Sequence, residues 1–198
     1  MRSLCYDDMI RIQRAAGRAE APWKNGGGVT REVAAHPPGT GSGDFDWRIS
    51  IASVSRGGPF SVFPGVDREL AVLEGALSLS IEGRADVSVR PGSPPLRFPG
   101  DVPCSGEPLV TPVTDLNVMT RRGKLSSQIT WLSVERQHVI RAGTARTFAL
   151  AVDPLTLISH GLAYQLHALD LAELQPEDDD IVLAARAARC ILIELKGA

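Results

Sequence analysis

Nineteen glycines and fourteen prolines interrupt this chain of 198 residues so often that few stretches could sustain a helix of average length, about 11–12 residues. What lies between the breaks is short and alternates apolar with polar: "VTREVAA", "DWRISIASV", "ALSLSIEG", "DVSVRPG", "DLNVMTRR", "QITWLSV", "TFALAV", "LTLIS", "AYQLHAL" and "CILIEL". Many short strands predict an all-β chain built from barrels or sandwiches. Helix competes in "YDDMIRIQRAAG", "LDLAELQP" and "DIVLAARAARC". The last runs without a turn signal into the β-branched "ILIEL", so a closing strand is favoured there. "VLEGALSLSIEG" and "LISHGLAYQLHA" share an apolar pair, a spacer, a glycine and an alternating strand, which suggests two β-modules. The expected modules are residues 1–95 and 96–198, divided near the proline-rich "PGSPPLRFPG", with strands open to exchange between them. The acidic cluster from Glu177 to Asp180 reads as a solvated turn.

Composition narrows the function classes. A formal net charge of −2 and a pI near 6.1 leave no basic surplus for nucleic acid or an anionic membrane. Cys5, Cys104 and Cys190 are odd in number and include no CxxC pair, which fits unpaired thiols in a reducing, cytoplasmic setting. The opening residues lack the apolar run of a secretory signal, and no later run approaches the ~18 apolar residues of a membrane-spanning helix.

Motifs for strong chemistry are missing. His36, His138, His160 and His167 form no HxH or HxxxH pair, and none has a carboxylate or cysteine at ligand spacing, so no metal and no other cofactor is expected. His160 and His167 could meet across a hairpin, although structural or surface roles are commoner for such histidines. There is no GxSxG elbow, and Cys104 in "DVPCSGE" has no assignable histidine. The triple glycine of "PWKNGGGVTREVA" is not a phosphate loop, because Lys24 precedes the glycines and a strand pattern, not a helix, follows them. Gly26, Gly27 and Gly28 instead allow close backbone approach or a bulge before a strand.

Three strands carry polar residues on one face. In "DFDWRISIAS", Trp47, Ile49 and Ile51 oppose Arg48, Ser50 and Ala52. In "TDLNVMTRRG", Leu116, Val118 and Thr120 oppose Asp115, Asn117, Met119 and Arg121; in "GVTREVAAH", Thr30, Glu32 and Ala34 oppose Arg31, Val33 and Ala35. Two readings remain open: a sheet with one solvent-wetted face, or an enclosed barrel whose inner polar groups must pair with one another or with a ligand. Phe60 and Phe63, with Asp67 and Arg68 close behind in a segment dense in glycine and proline, could form a pocket wall.

The blocks "PWKNGGGVTREVA", "WRISIASV", "GPFSVFPGVDRELAVLEG" and "DLNVMTRRG", in this order between Pro22 and Gly123, resemble the HutD/Ves family of bacterial proteins. The resemblance implies a bicupin: two fused antiparallel, jelly-roll-like β-barrel modules with few short helices, lacking the metal-binding histidine cluster of many cupins. It also implies a bacterial cytoplasmic protein associated with histidine utilisation. "PGSPPLRFPGDVPCSGEPL" stands where the family has an aromatic–glycine–acid turn, represented by Phe98, Gly100 and Asp101, with prolines that depart from the pattern.

Within that frame the expected ligand-binding residues are Asn25, Thr30, Glu32, Arg48, Ser50, Phe63, Asp67, Arg68, Asn117, Met119 and Arg121, with Lys24 at the rim. Arg48 or Arg68 would pair a carboxylate, and Asn25, Ser50 and Asn117 would supply hydrogen bonds. Arg48 itself should be held by Glu32 or Asp115. The expected ligand is a small carboxylate of the urocanate or N-formylglutamate class, and a homodimer is a candidate assembly. Two other function classes stay open: an enzyme performing metal-free acid–base chemistry through Glu32 or Asp67, and a regulator acting through a protein partner.

Overall fold

A computed structural model of the chain describes residues 10–39, 43–141, 143–175 and 180–198. Among them are fifteen strands and no helix: β1 (Arg11–Gln13), β2 (Glu20–Pro22), β3 (Gly28–His36), β4 (Trp47–Val54), β5 (Gly58–Pro59), β6 (Val66–Ile81), β7 (Val87–Val89), β8 (Leu96–Pro99), β9 (Cys104–Arg121), β10 (Leu125–Ile140), β11 (Arg146–Ala151), β12 (Leu155–Ser159), β13 (Leu162–Leu166), β14 (Leu171–Leu174) and β15 (Ile181–Gly197). Each of the ten alternating stretches of the sequence contains strand residues. So does the alanine-rich "DIVLAARAARC", which opens β15, and "LDLAELQP" contains β14. Propensity for helix yields at both places to antiparallel pairing, with β12 through Leu157↔Leu183 in the first case and with β11 through Ala149↔Ala172 in the second. Cys5 and most of the acidic cluster, residues 177–179, fall outside the described residues.

The strands form two sheets. One has the order β1-β14-β11-β15-β12-β13, with β10 also on β15; the other has the order β2-β3-β4-β9-β6-β7, with β5 on β9 and β8 on β6. Two compact units follow this division: the described residues up to Gly17 with Thr130–Lys196, and Arg18–Ile129 with Gly197–Ala198. The division thus lies at 129/130, not at 95/96. The reason is β8: beyond the proline-rich stretch, Leu96–Pro99 pairs back onto β6 from Leu70 to Asp67 and stays in the same sheet as β6. Strand β1 pairs with β14, Ile12 opposite Ala172, so it belongs to the unit of Thr130–Lys196 although it is far from that segment in sequence.

The two stretches read as a repeat are built differently. His160 and Gly161, at φ +48° and +73°, make a two-residue turn between β12 and β13, whereas Glu74–Gly75 is an irregularity inside the continuous strand β6. The hairpin unit has an apolar core that includes Val134, Leu157, Leu183 and Cys190. The Arg18–Ile129 unit packs Leu70, Val72, Leu77, Leu79 and Phe98 together, and separately Phe45, Val66 and Met119.

Within the Arg18–Ile129 unit, β4 and the part of β9 paired with it, Val113 to Thr120, are largely buried on both faces. Ile49, Leu116 and Val118 are 0% exposed, and on the opposite face Ser50 is 3%, Asn117 6% and Asp115 0% exposed. The solvent-wetted reading of that sheet therefore fails, and its polar residues must be satisfied internally or by a ligand. The residues 180–198 and the other described segments contain no helix long and apolar enough to cross a membrane, a statement about helices only.

Candidate ligand-binding site

The register of β3, β4, β9 and β6 stacks the polar residues in rows. Arg48, Met119 and Arg68 are neighbours across three strands; Glu32, Ser50, Asn117 and Leu70 form the next row; Thr30, Ala52, Asp115 and Val72 form the third. The pairing of β3 shifts between Glu32 and Ala34, so Val33 is the extra residue of a bulge and the simple alternation of that strand stops there. These rows, with the segments on either side of β2 and β5, enclose a cavity of about 530 Å³. Its wall includes Trp23, Phe60 and Phe63, with Lys24 and Asn25 alongside.

The glycine run sets the mouth. Asn25 Oδ1 accepts from the Gly27 amide, and Gly26 has φ +67°, a value glycine adopts without steric cost. A Cβ at Gly28 would lie 2.5 Å from the Ser53 carbonyl oxygen, so the β3–β4 approach at that point excludes a side chain. The turn closes through Trp23 N to Gly28 O and Gly26 N to Trp23 O, each 2.9 Å, and the Trp23 indole donates to Thr30 Oγ1 at 2.8 Å. The tight turn thereby fixes Trp23 in the wall, beside Lys24 and Asn25.

On the cavity wall, Arg68 donates from Nε and Nη2 to Asn117 Oδ1 at 3.1 and 2.8 Å, and from Nη1 to the Ser61 carbonyl at 3.3 Å. Three rings surround its guanidinium: Phe98 at 5.0 Å, Phe60 at 5.1 Å and Phe63 at 5.8 Å. Burial pulls its pKa down to about 10, with nearby Arg48 acting in the same direction and Cys104 and Asp115 opposing. It remains a cation at neutral pH. Asn117 passes the interaction on, Nδ2 donating to Asp115 Oδ1 at 3.0 Å. Burial raises the Asp115 carboxyl to about 6, against the opposing pull of Asn117 and Arg68, and its Oδ2 is buried without a hydrogen-bond partner.

Arg48 completes the site. Its Nε donates to Glu32 Oε2 at 2.9 Å, the first of the two carboxylates offered by the sequence. Nη1 and Nη2 have no hydrogen-bond partner among the described residues, and the side chain, 11% exposed, lines the cavity. Ser50 also lines it, with no partner for its hydroxyl among the described residues.

Of the eleven residues singled out from sequence, Asn25, Thr30, Arg48, Ser50, Phe63, Arg68, Asn117 and Met119 line the cavity. Asn117 has both ends of its amide engaged, so it is a wall element and less a free donor than expected. Glu32 is outside the lining but anchors Arg48. Asp67 and Arg121 are not part of it. Adjacent residues of a strand point to opposite faces, so Asp67 turns away from Arg68 and accepts from Arg122 Nε at 2.8 Å. Arg121 lies at the end of β9 and is spent on the carbonyls of Pro64 and Phe45. Sequence reasoning did not put Trp23 or Ser61 in the site, and it read Asp115 only as an arginine partner. The two histidines do not form a site: His167 is near Asp170, at 3.5 Å, and His160 is in the turn. Among the described residues no group of three or more His, Cys, Asp or Glu is placed to hold a metal ion.

Comparison with known proteins adds the family. The HutD family model matches residues 15–192. The chain belongs to the HutD family. A protein named Ves from Citrobacter koseri is 39% identical over 109 residues, 54% of this chain and 56% of that protein, so the chain spans little more than half of that relative's length. A crystal structure of a conserved protein of unknown function from Pseudomonas aeruginosa PAO1 matches at 31% identity, covering 95% of this chain and 99% of the other, with a TM-score of 0.85. HutD from Pseudomonas fluorescens SBW25 matches at 29% identity over 96% and 100% of the two chains, TM-score 0.78. A cupin 2 conserved barrel protein from Leptotrichia buccalis, 14% identical with a TM-score of 0.57 and covering 85% and 89%, shares the fold alone. The HutD-family chain is thus an all-β protein of two antiparallel sheets with a cupin-like, bicupin architecture.

Proposed function

We propose that this HutD-family protein is a metal-independent binding protein for a small carboxylate metabolite, held in the cavity of the Arg18–Ile129 unit, with an accessory or regulatory role in cytoplasmic histidine utilisation. The observation that carries this reading is Arg48: a nearly buried guanidinium whose Nε is tied down by Glu32 and whose two terminal nitrogens are left for a ligand. A guanidinium presents paired N–H groups in a fixed fork that fits a carboxylate bidentately. Arg68, one residue beyond Met119 across the same row, adds a second positive charge held rigid by aromatic rings. The polar set of the wall among the described residues, two arginines, a lysine, two amides, hydroxyls and the single acid Asp115, suits an organic anion and not a cation. The cavity's volume of about 530 Å³ is within the range of small-molecule sites.

The family points to histidine-pathway acids such as urocanate and N-formylglutamate. Titration calorimetry with these and other small acids tests the reading: micromolar binding of at least one supports it, and uniform failure to bind refutes it. A second reading, metal-free acid–base catalysis, is favoured by one observation, the buried Asp115 carboxyl titrating at about 6 beside the cavity. Glu32 is a weaker candidate because the ion pair with Arg48 favours its charged form, and Asp67 is outside the cavity. Turnover of any pathway acid by the pure protein, abolished by Asp115→Asn, would establish the catalytic reading.

A further inference from the structure

Asp115 is buried beyond what its partners explain. Its Oδ1 accepts from Asn117, but Oδ2 receives no donor. Neighbouring strands cannot supply one: the residues opposite Asp115 are Ala52 on β4 and Val72 on β6, both without polar side-chain atoms. Nor can Asn117 turn to help, since its Oδ1 is fixed by two N–H groups of Arg68. A buried carboxylate oxygen without a donor is costly and rare in folded proteins. This one belongs to a residue on the wall of the cavity, and it is the only acid on that wall among the described residues.

We propose that Asp115 is the selectivity group of the cavity: its Oδ2 accepts an N–H or O–H from the ligand, so the site prefers acids that carry a hydrogen-bond donor over acids of the same shape that lack one. The inference rests on the small-acid reading above. Arg48 and Asp115 belong to rows four residues apart on β9, roughly 13 Å at the backbone, and the long arginine side chain closes part of that distance. The spacing suits a compact acid whose donor lies several bonds from its carboxylate, such as an imidazole N–H or an amide N–H. A site built to hydrogen-bond a donor discriminates strongly against an analogue without it, because the site's own polar atom is then left unpaired.

The test uses matched pairs of acids measured by calorimetry at pH 8, where Asp115, titrating at about 6, is ionised. One pair is urocanate and 3-(1,3-oxazol-5-yl)acrylate, in which a ring oxygen replaces the imidazole N–H and the second nitrogen is kept. The other is N-formylglutamate and the formate ester of 2-hydroxyglutarate, in which an ester oxygen replaces the amide N–H. The wild-type protein is expected to prefer the donor-bearing member of at least one pair by about 10-fold or more. In Asp115→Asn the new amide must turn its oxygen to Asn117 Nδ2, leaving an N–H₂ where Oδ2 was, so the preference is expected to vanish or reverse while the plain acid retains its affinity. Equal wild-type affinity within both pairs overturns the inference and leaves the small-acid reading standing. A preference unchanged in a folded Asp115→Asn protein also overturns it. Absence of binding by all four acids refutes both. The wild-type comparison decides the matter alone if the variant does not fold.

Discussion

Replacing Arg48 by Met separates the ligand role of this residue from its structural one. Methionine is unbranched and keeps much of the apolar volume of the arginine stem while removing the guanidinium. The folded state loses one ion pair, Arg48 Nε to Glu32 Oε2 at 2.9 Å. Glu32 is 33% exposed and can turn to water once its partner is gone, so the loss in stability should be small, about 1 kcal/mol or less. Affinity should behave differently. Nη1 and Nη2, which have no partner among the described residues, would make two charge-assisted bonds to a carboxylate in the cavity, and truncating such a pair costs about 2–5 kcal/mol. That corresponds to roughly 30-fold to several-thousand-fold in Kd. Calorimetry with the tightest acid gives the affinity, and circular dichroism with urea unfolding checks the fold. Unchanged affinity in a folded Arg48→Met protein would remove Arg48 from the site and refute the reasoning.

Three further outcomes follow from the same wall. Asn117→Leu deprives Arg68 of the acceptor of two hydrogen bonds in a buried setting, and urea unfolding should register a loss of about 3–5 kcal/mol. Asp115, raised by burial from 3.8 to about 6, binds its proton more tightly folded than unfolded; its contribution to stability is therefore most favourable below pH 4 and declines as pH rises to 6, by about 3 kcal/mol, a slope that Asp115→Asn should remove from the pH dependence of unfolding. Gly28→Ala would force a methyl to 2.5 Å from the Ser53 carbonyl oxygen, and thermal unfolding should show a destabilisation of about 1–3 kcal/mol.

The face of β4 that builds the site was legible because a strand's period of two is a local rule. Alternation around Trp47, Ile49 and Ile51 sends Arg48 and Ser50 together to the other side, and the cavity is there. The same rule on β9 groups Asn117 with Met119. It also explains the failure at Asp67: read as part of a turn-rich loop, it was grouped with Arg68, but both are in β6 and face opposite ways. Arg121 obeys the alternation and is still lost to the site, because at the strand's end its side chain reaches the carbonyls of Pro64 and Phe45. The role of Asp115 was hidden for another reason. Its face was evident, but an unpaired Oδ2 depends on Ala52 and Val72 being its cross-strand neighbours, and register between distant segments is not written in any local pattern. The unit boundary was hidden likewise: the prolines before Leu96 mark a turn, and only the pairing of β8 with β6 shows that the chain turns back into the same sheet.

The central claim is that a small acid lies in this cavity with its carboxylate on Arg48. The most direct measurement is a crystal structure of the protein grown with the tightest-binding acid of the calorimetric panel. The account predicts that the acid occupies the space between Trp23, Phe60 and Met119, with carboxylate oxygens about 2.7–2.9 Å from the terminal nitrogens of Arg48. An acid bound elsewhere on the chain, or lying in the cavity with its carboxylate turned away from Arg48, would contradict it.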